Sequence, residues 1–239
     1  MFLMLPTLAI LAVYFLAAVL PAFYLMRYIY RRDTIEKEPP ALLFSLVLMG
    51  VGAALLSIGL EYLGERILAS KVDQSTPAYA VLLAFLVVAA VEEGMKFLLL
   101  KLRTWRDPNF NYRFDGIVYA AFVSLGFAAF ENIKYVMGYG LSVAVPRALL
   151  AVPGHMGFAV FMGVFYGRAK LCEGRGDRRG RFFSLLAAYL CPVLLHGFYD
   201  ACAMIGTVWA TLLFIAFVAA MYIVVIRLVR RESRSDRPV

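Results

Sequence analysis

Seven long apolar runs dominate the sequence and restrict what the chain can fold into. They cover roughly residues 2–26, 41–60, 79–100, 115–138, 154–169, 182–204 and 207–226. A helix that crosses a bilayer needs about 20 predominantly apolar residues, so most of these runs are long enough to span it. A helix also pairs its own backbone N–H and C=O groups, which hydrocarbon cannot do. The sequence therefore predicts an all-α, polytopic transmembrane bundle with seven spans.

The composition leaves little room for anything besides these spans. Of the 239 residues, 63% are hydrophobic and 17% are charged, which is outside the usual mix of a soluble domain. We therefore predict one integral membrane domain over residues 1–239, with a flexible basic cytoplasmic tail at 229–239. The segment 141–153 contains Pro146 and Pro153, and it could add an eighth, re-entrant or interfacial helix.

The basic residues divide unequally between the two ends of the predicted spans. Nineteen of the 24 lie in segments 27–37, 101–113, 168–181 and 227–237, which follow alternate runs. Because cytoplasmic loops attract Lys and Arg, this pattern predicts an outside N-terminus and a cytoplasmic C-terminus. The same dispersal argues against a nucleic-acid partner despite the net charge of +8, since such an interface gathers its basic residues on one face. The lipid bilayer is the partner that the composition predicts.

Ionisable residues nevertheless occur inside four of the runs. A charge near the bilayer centre costs about 2.5–3.5 kcal/mol on insertion scales, so each one needs a reason. The third run contains Glu92, Glu93 and Lys96. Glu92 and Lys96 are four residues apart, so a helix brings them onto one face as a pair. Glu93 points about 100° away around the helix axis and needs another partner, such as a proton, a metal or a polar group.

The other intramembrane candidates lie on the next three runs. Glu131 is in the fourth run and His155 begins the fifth, while His196 and Asp200 lie four residues apart in the sixth. A carboxylate at that spacing can orient the imidazole or join it in binding a cation. Three Glu, two His and one Asp on four helices are enough to build an internal polar site. We favour such a site over scattered structural pairs.

These side-chain types are the ones that hydrolysis needs. Peptide hydrolysis requires an activated water, a group that takes and returns its proton, and a donor or cation facing the developing oxyanion. A Glu/His/His set also matches the ligands of a catalytic zinc, and the remaining Glu would then be the base. The sequence contains neither HExxH nor Gly-x-Ser-x-Gly, and Cys172, Cys191 and Cys202 have no metal-site spacing. A Ser or Cys nucleophile therefore has little support.

Three motifs resemble those of the PrsW intramembrane proteases, which belong to the wider superfamily of CAAX prenyl proteases. They are Glu-Glu-x-x-Lys at 92–96, Phe-x-x-x-Glu at 127–131 and His-x-x-x-Asp at 196–200. The likeness extends to Asp33 and the Glu-Pro after the first span, to Asp115-Gly116 and to Pro-Gly-His at 153–155. It thus covers most of the chain. The CAAX relatives have His in the second motif and Asn in the third, where this chain has Glu131 and Asp200, so it resembles the PrsW branch.

The resemblance implies an intramembrane endopeptidase in a bacterial plasma (inner) membrane. Its substrate would be a membrane-anchored protein cut near the outer face, typically an anti-sigma factor in a stress response. The site expected on this basis has Glu92 or Glu93 as general base, Glu131, His155 and His196 as the water or metal site, Asp200 orienting His196, and Lys96 pairing with a Glu or stabilising negative charge. The expected metal is Zn²⁺, and residues 1–239 would form a single membrane protease domain.

Two alternatives stay open at this point. A proton-coupled transporter also uses buried carboxylates, His and Lys, although the chain has no internal repeat of the kind found in common transporter plans. A metal-independent, glutamate-type protease like the CAAX relatives would use the same residues without zinc.

The depths of the two acidic motifs pose a geometric problem. At about 1.5 Å per residue, Glu92 lies about 20 Å below the outer end of its run, and Glu131 lies about 10 Å below the outer end of its own. For the two to meet, the third helix must protrude, the bilayer must thin, or the run boundaries must differ.

Overall fold

The computed structural model describes residues 4–239, with side chains described from Leu8 onward. The helices are α1 (Met4–Arg32), α2 (Pro40–Ala69), α3 (Pro77–Leu82), α4 (Ala90–Thr104), α5 (Asp115–Tyr139), α6 (Ala144–Pro146), α7 (Val152–Gly174), α8 (Arg178–Ile205) and α9 (Val208–Arg234). A π-helical turn, Leu83–Ala89, joins α3 to α4. A 3₁₀ turn, Leu141–Val143, and a π-helical turn, Arg147–Ala151, lead through α6 into α7. The described chain therefore forms seven long helical segments.

Six of these seven segments are long and apolar enough to cross a membrane. The seventh segment runs from α3 to α4 and is interrupted by the π-helical turn between them. The first turns of α4 carry two acidic residues and a lysine. The chain is a multi-pass membrane protein, and the predicted all-α fold is confirmed. Which end faces the cytoplasm stays a prediction. The segment 141–153 does not form a separate eighth helix, because it continues into α7 as one segment from Leu141 to Gly174.

Short polar signals set the ends of several helices. Thr76, Asp177 and Thr207 each accept a hydrogen bond from a backbone N–H in the first turn of the helix that follows, which satisfies one of its orphan donors. At the other end of α8, Gly206 adopts a left-handed conformation with φ of 67°, which only glycine enters without strain. These signals fix where the chain turns between α8 and α9.

Helix α5 lies at the centre of the bundle, and glycines let its neighbours approach closely. At Gly126 on α5 and Gly50 on α2, a side chain would collide with the backbone of the other helix. Gly163 on α7 meets the backbone of α5 at Gly116 in the same way. Small residues at such crossings are the usual means of bringing membrane helices together. The α5–α7 crossing brings the ionisable residues of the two helices within reach of each other.

Three segments meet at one end of the bundle: the loops 33–39 and 105–114 and residues 235–239. We call it the basic end because the basic segments that are predicted to be cytoplasmic converge there. Arg113 forms an ion pair with Glu232, and the backbone N–H of Phe114 donates to the Asp236 carboxylate at 2.8 Å. The N–H of Val239 donates to the Asn111 carbonyl. The segment 229–239 thus includes the last turn of α9 and contacts a neighbouring loop, while its predicted flexibility stays a prediction.

Candidate active site

Four helices bring the ionisable residues of the apolar runs into one group, which we call the Glu/His cluster. Its members are Glu92, Glu93 and Lys96 on α4, Glu131 on α5, His155 on α7, and His196 and Asp200 on α8. Glu93 and Lys96 are completely buried. The π-helical turn Leu83–Ala89 directly before α4 is a local irregularity of a kind often found at functional sites. All seven residues predicted from the sequence therefore meet, while their roles stay predictions.

Lys96 is the hub of the Glu/His cluster. Its Nζ donates to Glu92 Oε2 at 3.0 Å and to Glu93 Oε1 at 2.7 Å. It also lies 3.2 Å from His155 Nδ1 and 3.9 Å from the centre of the Phe127 ring. The Glu92–Lys96 pair expected from the spacing is present, and the same ammonium is also the partner that Glu93 required. One cation thus faces two carboxylates in a buried part of the bundle.

Each histidine contacts a carboxylate through Nε2. The other ring nitrogen faces Lys96 in His155 and Glu93 in His196. His155 Nε2 lies 3.0 Å from Glu131 Oε2, so its Nδ1 is the nitrogen directed at Lys96. His196 Nε2 lies 3.3 Å from Asp200 Oδ2, and its Nδ1 lies 2.9 Å from Glu93 Oε1. Because a carboxylate accepts hydrogen bonds, Glu131 favours a proton on His155 Nε2, whereas His196 has a carboxylate at each ring nitrogen. The two Nδ1 atoms are therefore turned toward the middle of the cluster.

The donor atoms near Lys96 fit a metal in type and spacing. Glu92, Glu93, His155 and His196 each offer one ligand atom, and these four atoms lie within 4.8 Å of one another. Carboxylate oxygens and imidazole nitrogens are ligands that zinc accepts, and a carboxylate on the far nitrogen of each ring is the usual support of a metal-binding histidine. Glu93 Oε2 is buried and has no hydrogen-bond partner among the described residues.

Lys96 is the one feature that opposes a metal at this position. Its Nζ contacts Glu92, Glu93 and His155, which are three of the four candidate ligands. Two cations at this distance repel strongly in a low-dielectric site. The ligand set is suited to a metal provided that Lys96 turns away from it.

The role of Glu131 as part of the water or metal site stays a prediction, and its contacts favour a second role. Glu131 was predicted as a metal ligand, but it lies outside the group of four ligand atoms. Its Oε2 instead contacts His155 and accepts a hydrogen bond from Arg147 at 2.9 Å. The geometry suits a residue that orients His155.

Arg147 is a member of the site that the sequence analysis missed. Its Nε donates to Asn132 Oδ1 at 2.7 Å, and its guanidinium lies 3.9 Å from the centre of the Tyr135 ring. Asn132 in turn donates to the carbonyl of Ala18 on α1 at 2.8 Å. In the sequence, Lys134 is three residues from Glu131, whereas Arg147 is sixteen residues away. An arginine in a proline-flanked apolar segment was the only available signal.

A cavity of about 500 Å³ opens beside the Glu/His cluster, a volume typical of ligand-binding pockets. Glu92, Glu131, His155, His196 and Asp200 all line it, and helix α2 contributes part of its wall. Glu92 and Glu131 thus meet in spite of their different predicted depths. The α3–α4 segment is about 42 Å long at 1.5 Å per residue, which exceeds the roughly 30 Å of hydrocarbon. Protrusion of the α3–α4 segment is therefore a sufficient explanation.

Comparisons with known proteins give one consistent result. A family model described as PrsW family intramembrane metalloprotease matches residues 38–228. The chain is 33% identical to "Protease PrsW" of Geobacillus kaustophilus (strain HTA426) over 222 residues, which cover 93% of both chains. It is 32% identical to "Protease PrsW" of Clostridioides difficile (strain 630), over 87% of this chain and 86% of that one. The protein of the same name from Bacillus subtilis (strain 168) is 32% identical over 77% of this chain and 79% of its own. No solved structure matches.

Proposed function

The chain belongs to the PrsW family of intramembrane metalloproteases and is a peptidase, and we propose that the Glu/His cluster is its catalytic centre. In this proposal the enzyme hydrolyses a peptide bond of a membrane-anchored protein within the cavity. The observation that carries the proposal is the convergence of two glutamates and two histidines, with ligand atoms within 4.8 Å of one another, beside a cavity of about 500 Å³. The transporter alternative loses its support, because the family is one of proteases.

The proposed base is Glu92 rather than Glu93. Glu92 lines the cavity, whereas Glu93 is completely buried and is held by Lys96 and His196. A carboxylate that reaches the cavity can take the proton of the attacking water and return it to the leaving amine. Glu93 then fixes the positions of Lys96 and His196. Asp200 orients His196, since it holds the Nε2 of that ring.

The proposed cofactor is Zn²⁺, held by Glu93 together with the Nδ1 atoms of His155 and His196, which leaves Glu92 as the base. When bound, such a metal supplies Lewis-acid stabilisation of the charge that develops on the carbonyl oxygen. Glu131 and Asp200 support the two rings from their outer nitrogens and keep them in one orientation.

A metal-independent hydrolase is the second candidate, and the position of Lys96 favours it. The ammonium already lies among the candidate ligands and carries the positive charge that an oxyanion needs. Elemental analysis of protein purified without chelators or added metal, together with its activity, separates the two candidates. A metal-free preparation with full activity would eliminate zinc and leave the Glu/His hydrolase.

The proposed setting is the plasma membrane of a bacterium, with cleavage near the outer face of the membrane. Support comes from the bacterial relatives, among them the protein of Bacillus subtilis, and from the predicted orientation, which puts the cavity ends of α5 and α7 toward the outside. An anti-sigma factor is the proposed substrate on the basis of the family resemblance alone.

The direct test is cleavage of a tagged single-span protein by the purified enzyme in liposomes. We expect Glu92→Gln, Glu93→Gln and His196→Ala to reduce cleavage by at least about a hundredfold, the range expected for a lost general base or its supporting groups. Glu65→Gln is the matched control, because Glu65 is an exposed glutamate of α2 that does not line the cavity. Equal cleavage by all four variants would remove the Glu/His cluster as the catalytic centre.

A further inference from the structure

Helix α2 places two unpaired polar atoms at the cavity wall. Ser57 and Glu61 both line the cavity. Ser57 Oγ and Glu61 Oε1 are buried, and neither finds a hydrogen-bond partner within the described part of the chain. No residue of α2 was predicted from the sequence to be functional. These two atoms therefore need an explanation beyond the Glu/His cluster.

The unpaired state of Ser57 is not a general property of serines near this helix. The hydroxyl of Ser45 donates to the Leu42 carbonyl at 2.7 Å, and that of Ser70 donates to the Ile67 carbonyl at 2.7 Å. Ser57 has the same option, yet its hydroxyl is not bonded to its own helix. A buried polar atom in a spanning helix is unfavourable without a partner. No group in the described part of the chain is that partner, so a substrate that enters the cavity can supply it.

A peptide segment that is about to be cut offers the matching groups. Hydrolysis needs an accessible carbonyl, so the substrate must be unwound at the scissile bond, and its freed N–H groups must find acceptors inside the protein. In an extended chain, residues i and i+2 present their N–H groups on the same side, about 6.6–6.8 Å apart. Ser57 and Glu61 are four residues apart on one helix face, which is about 6 Å along the axis. The rise along α2 between the two residues is therefore close to the spacing of the two N–H groups.

We infer that Ser57 and Glu61 form a main-chain subsite, in which their side-chain oxygens accept hydrogen bonds from two substrate N–H groups two residues apart. The inference rests on the proposed function, since it gives the same cavity its substrate contact. Glu92 lines this cavity as well, so a chain bound along α2 lies in the same space as the proposed base. Ser57 and Glu61 act in substrate binding, and they do not take part in proton transfer.

The test replaces substrate N–H groups with oxygen. A synthetic single-span substrate is made with one ester in place of one amide at successive positions on either side of the scissile bond, which itself stays an amide. With the wild-type enzyme we expect kcat/KM to fall about tenfold or more at two positions that are two residues apart, because each ester removes one hydrogen bond. Esters at the other positions are expected to have little effect.

Two variants connect this pattern to α2. Glu61→Leu and Ser57→Ala should each lower kcat/KM for the all-amide substrate about tenfold, and each should abolish the effect of one of the two esters. Glu61→Gln keeps an acceptor oxygen and should retain part of that effect. Glu65→Leu is the matched control, because Glu65 is exposed on the same helix, and it should leave the ester profile of the wild type unchanged.

Three results would overturn the inference. The first is a Glu61→Leu variant that is folded, as its unfolding midpoint shows, and that has the same ester profile as the wild type. The second is a defect of Glu61→Leu that appears only with Lys or Arg near the scissile bond, since Glu61 would then bind a side chain. The third is a flat ester profile of the wild-type enzyme, obtained under conditions in which the wild type cleaves the all-amide substrate and Glu92→Gln does not. This result leaves the proposed function intact. No cleavage of the all-amide substrate by the wild type would defeat the proposed function and the inference together.

Discussion

The Glu/His cluster and the basic end both bury carboxylates, but they balance them differently. In the Glu/His cluster, Lys96 contacts two glutamates and Arg147 contacts Glu131. At the basic end, Asp33 and Glu38 in the loop between α1 and α2 are 1% and 4% exposed. One oxygen of each has no hydrogen-bond partner in the described chain. The first region relies on opposite charges. At the basic end Arg113 pairs with Glu232, but Asp33 and Glu38 form no ion pair with any described residue.

The acids of the basic end respond by holding their protons more tightly. Burial raises the pKa of Asp33 to about 6, although the nearby Lys37 opposes the shift. Burial likewise raises the pKa of Glu38 to about 7, and Asp33 adds to the effect. A buried carboxylate that keeps its proton makes stability depend on pH. The acids of the Glu/His cluster thus differ from Asp33 and Glu38 in whether a basic side chain forms an ion pair with them.

Removal of Lys96 should have the largest effect on stability and activity. Lys96→Met leaves Glu92 and Glu93 facing each other without a cation, and the loss of one partner from a buried pair costs about 3–5 kcal/mol. We expect a marked fall in the unfolding midpoint in detergent and the loss of cleavage. The double variant Lys96→Met/Glu93→Gln should recover part of the stability but no activity. Equal stability of the single and double variants would show that Lys96 does not balance these carboxylates.

Removal of Arg147 should have a smaller effect, because Arg147 acts through Glu131 and His155. Arg147→Met is expected to lower kcat about 10–100-fold, the usual consequence of losing an outer support of a catalytic histidine. Arg147→Lys should restore part of the activity by keeping a cation. Lys134→Met is the control, because Lys134 also lines the cavity but does not bond to Glu131. If Lys134→Met and Arg147→Met behave alike, the geometric distinction between them is wrong.

The affinity for zinc tests the role of Lys96 in a second way. If the ammonium of Lys96 competes with a metal for the same ligands, Lys96→Met should bind Zn²⁺ about tenfold or more tightly than the wild type, because a like charge has been removed. Titration with zinc, followed by calorimetry, measures the difference. His196→Ala should weaken binding in both backgrounds. Identical affinities with and without Lys96 would place any bound zinc elsewhere.

The basic end should give the smallest effect, and its sign follows from the raised pKa values. Between about pH 4 and pH 7 the folded protein keeps protons on Asp33 and Glu38 that the unfolded chain has released, so stability falls as the pH rises through this window. Glu38→Gln is neutral at every pH and should raise the unfolding midpoint at pH 8 by about 2–4 °C, with little change at pH 4. Glu36→Gln, an exposed neighbour, should show no such dependence. A Glu38→Gln protein that melts like the wild type at pH 8 would contradict the raised pKa.

The parts of the fold and site that follow from local pattern were predictable from the sequence. Long apolar runs specify helices in lipid, and charges within them stand out, which is why Glu92, Glu93, Lys96 and His196 were identified. The pairing of Lys96 with Glu92 followed from helical spacing alone. Such inferences need no knowledge of which helices are neighbours.

The parts that depend on packing between distant helices were not predictable. Glu61 lies just past the apolar run 41–60 and looks like the polar end of a helix, and Arg147 looks like an ordinary loop charge. Their environments depend on the crossings of α5 with α2 and α7, which no local pattern specifies. The same is true of Glu131, because residue type alone does not separate a metal ligand from a residue that holds the ligand in place.

The hydrogen bond from Asn132 to Ala18 has a practical consequence for anyone who shortens this enzyme. Helix α1 has the lowest buried share of the candidate spans in the described chain, and the matched family region begins only at residue 38, so a truncation that discards α1 would look harmless. It would keep all seven residues of the Glu/His cluster. It would also delete the carbonyl that anchors Asn132 and, through it, Arg147. Minimal versions of the protease should therefore start before this helix.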